Sequence, residues 1–183
     1  MKSRRSEVAA ALARERWGLA RARKMARQIE VNPRQVKELV EALFGDEPEI
    51  RKRAADVVRR ITEKDAAPLE PYADELAGLL AEIPLEESRT RWHLGLAVPK
   101  TAHTRVQRLR AARLMSLLAE DDSNGVRCSA VEGLGLLALQ EPSLRDEAEE
   151  MVEKYLREGS TKAMKSRARG VMRMWASGER QKN

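Results

Sequence analysis

The sequence predicts an all-α superhelix, a solenoid of about four helix pairs stacked in a row, with one basic helix ahead of them. Three observations predict it. Aromatic residues are only 3% of the 183 residues, while Ala, Leu, Glu, Arg and Lys abound; that mixture fills helices well and offers little that strands prefer. Four stretches resemble one another: "IRKRAADVV" from Ile50, "TRWHLGLAV" from Thr90, "VRCSAVEGL" from Val126 and "MKSRARGVM" from Met164. Their basic residues, Arg51, Arg91, Arg127 and Lys165, are 40, 36 and 38 positions apart, the length of a two-helix repeat unit.

Residues 1–32 form the basic N-terminal helix or arm. Its part from 3 to 30 contains no proline and one glycine, and reads as a single helix with a narrow stripe of Leu12, Leu19, Ala22, Ala26 and Ile29. Such a segment either caps the open end of the array or binds an external acidic surface, and Trp17 near its centre is a plug or an anchor accordingly. The repeat domain follows over 33–176, divided at about 33–66, 67–103, 104–141 and 142–176. Each unit opens with an amphipathic helix, such as Val36, Leu39, Val40 and Leu43 or Tyr72, Leu76, Leu79, Leu80 and Ile83. A short turn then leads to one of the four similar stretches. In these, the positions three and seven after the basic residue are apolar: Ala54 and Val58, Leu94 and Val98, Ala130 and Leu134, Ala168 and Met172.

The turns within units are "GDEP" at Gly45, "IPLEES" at Ile83, "EDDSNG" at Glu120 and "EGST" at Glu158, while Pro68, Pro99 and Pro142 mark the boundaries between units. Residues 177–183 read as a polar, frayed tail. The glycines of "GLGLL" from Gly133 lie inside a helix, with no strand-turn-helix context for a phosphate loop. They serve close helix approach.

On "GDEPEIRKRAADVVRRI", "PLEPYADELAGLL" and "TRWHLGLAVPK" the chain resembles bacterial HEAT-repeat proteins over about residues 33–176. The resemblance implies a right-handed array with the second helices on its concave face. It does not fix an activity, because such arrays serve as scaffolds, receptors, enzyme subunits and nucleic-acid clamps alike. It also implies a ladder of Arg–acid pairs along the stack. Asp46, Glu86 and Asp122 stand five residues before Arg51, Arg91 and Arg127, and Ser160 takes that place before Lys165.

The net charge is +6, with residues 1–34 at +7, residues 35–159 at −7 and residues 160–183 at +6. The leading expectation is a non-catalytic protein-binding scaffold or adaptor whose concave face docks a partner, with Lys52, Arg59, Arg60, Arg89 and Trp92 as contact residues and the acidic middle favouring a basic ligand. The alternative is a nucleic-acid-binding module using the basic ends. Its residues are Arg4, Arg5, Arg14, Arg16, Arg21, Arg23, Lys24 and Arg27, together with Lys165, Arg167 and Arg169.

Chemistry has few candidates. His93 and His103 are ten apart across Pro99 and do not form a metal pair on one helix face, and Cys128 is the only cysteine. Neither a metal site nor a cofactor is expected, and no carboxylate pair is singled out for acid–base work. Trp92 and Trp175 read as core or end-plug residues, the sharper alternative being stacking on a nucleobase. No apolar run is long enough to span a bilayer, and the first residues lack the features of a signal peptide, so the expectation is a cytoplasmic protein that is not an enzyme. The sequence leaves the oligomeric state and the identity of the partner open.

Overall fold

A computed structural model describes residues 6–180, and within them the chain is helical with no strand. Ten α-helices are present among these residues: α1 (Glu7–Leu12), α2 (Leu19–Ile29), α3 (Pro33–Leu43), α4 (Pro48–Lys64), α5 (Ala73–Glu82), α6 (Ser88–Thr101), α7 (Arg105–Leu118), α8 (Asn124–Gln140), α9 (Arg145–Glu158) and α10 (Lys162–Arg180). Short 3-10 segments at Ala67–Tyr72 and Pro142–Leu144 lead into α5 and α9. Proline serves as a starter: Pro33 and Pro48 open α3 and α4, where its missing N–H costs nothing. Pro99 instead lies inside α6, in its last turn, rather than at the boundary the sequence suggested.

The helices alternate between two layers. First helices α3, α5, α7 and α9 form one layer; second helices α4, α6, α8 and α10 form the other, each packed on the next. The core runs between the layers through Leu39, Leu43, Ile61, Leu76, Leu80, Leu94, Met115, Leu134 and Leu137, all inaccessible or nearly so. Each such side chain removed from water contributes roughly 1.5–3 kcal/mol before entropy is counted. In the last unit, α10 runs on to Arg180, so residues 177–180 continue a helix instead of the frayed tail expected from residue 177; residues 181–183 lie outside the described range.

The N-terminal region also differs from expectation. The single helix read over 3–30 is two helices, α1 and α2, broken between Ala13 and Gly18. The cause lies far away in sequence. Arg53 of α4 donates from Nη1 to the carbonyls of Leu12 and Arg14, both at 2.8 Å, and lies over the ring of Trp17 at 5.5 Å. Those bonds satisfy carbonyls freed at the end of α1, where a continuous helix would have used them internally. Glu38 of α3 then receives the amide of Val8 at 3.3 Å, fixing the start of α1.

With the break in place, Val8 and Leu12 bury on α1, and Ala22, Met25, Ala26 and Ile29 bury on α2. Leu19, expected on the stripe, is 53% exposed. α2 packs on α4 and so extends the second-helix layer by one helix, capping it.

Candidate functional site: the second-helix layer

The register of the four basic residues becomes a chain of polar links between units. Arg51 donates from Nη1 to Glu87, and from Nε and Nη2 to the carbonyls of Leu43 and Gly45 at 3.1 and 2.6 Å. Arg91 repeats the pattern deeper in the protein, with Nε and Nη2 at 2.9 and 2.8 Å from Asp121 Oδ2 and Nη1 donating to Ile83 O at 3.0 Å. Each guanidinium therefore ties the end of its own first helix to the turn of the following unit. The acids are Glu87 and Asp121, not the Glu86 and Asp122 expected, and Asp46 joins no ion pair among the described residues.

The third rung is different again. Arg127 donates from Nη2 to Asn124 Oδ1, which also receives Ser160 Oγ, and its buried Nε has no partner. Lys165 is half-buried and forms no ion pair among the described residues.

Between α4 and α6 the exposed sides of the second helices carry a compact polar cluster. Asp56 sits 2.9 Å from Arg59 Nη2 and 3.0 Å from Arg60 Nε, with Glu63 on the other side of Arg59. Arg59 reaches across to α6, donating from Nε to His93 Nδ1 at 3.1 Å and lying 5.5 Å from the centre of the Trp92 ring. The Trp92 and His93 rings are 4.6 Å apart. Burial pushes the His93 pKa down to about 4; Asp56 opposes this and Arg59, Arg89 and Arg60 reinforce it, so the imidazole is neutral and able to accept from Arg59.

The residues proposed for partner contact thus separate. Arg59 and Arg60 are only 11% and 15% exposed and are consumed by internal pairs. Lys52 is paired with Glu49, whose carboxyl it holds below the usual range. Arg89 is exposed and joins no ion pair among the described residues, and Trp92 is half-buried beside it.

Residues spaced three or four apart share a helix face, so Arg89, Trp92, Leu96 and Lys100 mark one side of α6, and Cys128, Glu132, Leu136 and Leu139 one side of α8. Leu136, Leu139 and, on α10, Met174 are half-buried apolar residues that sequence reading missed. α8 is apolar on nearly every side and reads as pure core, which hid its half-buried leucines. Burial raises the pKa of the Cys128 thiol and keeps it protonated. Trp175 plugs the far end, donating from Nε1 to Gly135 O at 2.9 Å under Arg145, 4.0 Å from its ring.

The nucleic-acid residues fall into two distant groups. Arg14, Arg16, Arg21, Arg23, Lys24 and Arg27 lie on or just before α2, and Lys165, Arg167 and Arg169 on α10, at the two ends of the second-helix layer. Three helices stand between them, a separation on the order of 30–40 Å at usual helix spacings. Arg167 is paired with Glu132. Arg4 and Arg5 lie outside the described residues.

Charge is sorted by layer and not only along the chain. Helices α2, α4, α6, α8 and α10 contain twenty Lys/Arg and five Asp/Glu, whereas the first helices with their 3-10 segments contain nine and twelve. The acidic middle of the sequence therefore does not make the second-helix side acidic, and the basic ligand expected there has the wrong sign. Among the described residues no helix is long and apolar enough to cross a membrane, and no group of three metal-ligating side chains converges.

No protein-family model matches the chain, and no curated protein matches it. Among solved structures the chain is similar to a computationally designed armadillo repeat protein for modular peptide recognition, at 14% identity over 91% of this chain and 98% of that one, with a TM-score of 0.33.

Proposed function

We propose that the protein is a non-catalytic scaffold of HEAT-like helix pairs, with its repeat domain starting at residue 33, that docks a segment of a partner protein along the exposed side of α6, α8 and α10. The observation that carries this reading is one face with two parts: exposed Arg89, in no ion pair among the described residues, and half-buried Trp92 at the start of α6, and half-buried Leu136, Leu139 and Met174 toward the other ends of α8 and α10. Trp and Arg are among the residues that most often dominate the energy of protein interfaces, and an extended segment lying along the face would reach the half-buried leucines further on. Second helices pack on one another along the whole array while α7 and α9 barely meet, which supports a second-helix layer on the inner side of a curved stack. The partner segment that fits is apolar with acidic groups, because the layer carries an excess of Lys and Arg.

The test is selection of peptides from a displayed random library against the full chain. The selected sequences should combine Leu- or Phe-like residues with Asp or Glu, and Arg89→Glu or Trp92→Ala should weaken them about tenfold or more with the melting curve of Arg89→Glu unchanged. Peptides that bind both variants as well as the parent would remove this face from consideration.

A further inference from the structure

The cleft between α1 and α2 has no role in the scaffold reading. It is open to solvent, with a volume of about 400 Å³, and its walls are Ala11, Ala20 and Met25 on the apolar side and Arg14, Arg21, Lys24 and Gln28 on the polar side. Three cations line it and no acid does. None of the three joins an ion pair among the described residues, whereas Arg51, Arg53, Arg59 and Arg91 elsewhere all do. Residues 1–5, which precede α1, are Met-Lys-Ser-Arg-Arg and hold no carboxylate that could neutralise them.

Three like charges around one cleft repel one another unless an anion joins them. The backbone that carries one of them is held in place: Arg53 bonds the carbonyls of Leu12 and Arg14 and covers Trp17, so the break between α1 and α2 is fixed by α4. The backbone at Arg14 is therefore fixed before a ligand arrives, which leaves only the cationic side chains to be ordered on binding. The cleft's Arg side chains offer paired N–H groups to the oxygens of a tetrahedral anion, Lys24 adds a point charge, and the Ala and Met wall receives an apolar body.

We infer that the cleft between α1 and α2 binds the phosphoryl group of a phosphorylated ligand, with Arg14, Arg21 and Lys24 as its cationic lining and Ala11, Ala20 and Met25 against the remainder of the molecule. The volume suits a ligand of mononucleotide size, and the phosphate comes either from a free phosphomonoester or from the end of a nucleic-acid strand.

Titration calorimetry on the full chain with AMP, adenosine and inorganic phosphate tests this. AMP should bind about tenfold more tightly than adenosine and lose affinity as salt is raised. Arg14→Gln, Arg21→Gln and Lys24→Gln should each reduce AMP binding several-fold while circular dichroism and melting stay as in the parent, since these side chains face the cleft and form no internal pair. Equal binding of AMP and adenosine, or unchanged AMP binding in the triple Gln variant, would overturn the inference. A short 5′-phosphorylated single strand distinguishes the source. Tighter binding than AMP, lost in the same variants, assigns the phosphate to a strand end; binding weaker than AMP assigns it to a free phosphomonoester; strand binding indifferent to the three variants counts against the cleft.

Discussion

The junction between α4 and α6 and the junctions from α6 to α10 do the same mechanical job with opposite materials. The first is polar: Asp56, Arg59, Arg60 and Glu63 reach across to His93 and Trp92. The others rely on the absence of side chains. A Cβ on Gly133 would stand 2.7 Å from Pro99 Cγ, and one on Gly135 would stand 2.4 Å from Val171 Cγ1, so α8 meets its neighbours with nothing between backbone and packed side chain. The polar junction offers salt- and pH-sensitive stability; at the others close fit supplies most of the helix-on-helix contact, with Arg91–Asp121 and Arg167–Glu132 as polar links at the margins.

The largest way to break this contrast is at the buried rung that links the second and third units. Asp121→Ala strands the guanidinium of Arg91, which is 10% exposed, and should cost about 3–5 kcal/mol in urea unfolding. A loss under 1 kcal/mol would show the rung to be solvated and dispensable. The pH response comes next. His93 titrates near 4 when folded and near 6.5 when unfolded, so the unfolded chain takes up the proton first as pH falls. Stability should decline between about pH 6.5 and 4, by up to about 3 kcal/mol. In His93→Asn this part of the slope should vanish, which melting curves across that range would read directly.

Gly135→Ala sharpens the other side of the comparison. Helix propensity favours Ala by about 1 kcal/mol, but the buried, β-branched Val171 cannot rotate away, and overpacking should leave a net loss of about 1–3 kcal/mol. A gain in Tm would mean that α10 shifts freely on α8. The smallest effect expected is a gain. Ser160→Asp places a carboxylate beside Asn124 and Arg127, where the third rung lacks one, and should add under about 1 kcal/mol at this exposed edge, seen as a small rise in Tm that salt abolishes.

Much of the architecture was legible because each helix carries its own apolar period and each turn its own breakers. The four basic positions of the repeat were legible too. Their acids were read one residue away from the true partners, since the choice between Glu86 and Glu87, or Asp122 and Asp121, depends on which turn residue faces the neighbouring unit. The break after Leu12 was invisible locally, because the residue that holds it, Arg53, is 41 positions on.

On the candidate face, Arg89 and Trp92 stood out as a cation and an aromatic at a repeat position. Arg59 and Arg60 looked equally available until Asp56, three and four residues earlier, claimed them. Leu136 and Leu139 gave no signal, being apolar in an apolar helix.

The direction of the rungs has a consequence for the chain as it is made. Arg51 and Arg91 find their acids in Glu87 and Asp121, each in the unit that follows. A growing chain that has delivered one unit therefore carries an unmatched guanidinium at its leading edge until the next turn emerges, and each arriving unit completes the polar link of its predecessor. Arg127, which makes do with neutral Asn124, marks where that dependence stops. Shortening the gene from its 3′ end one unit at a time should accordingly leave products that end at Arg51 or Arg91 far more prone to degradation than a product in which both pairs are closed.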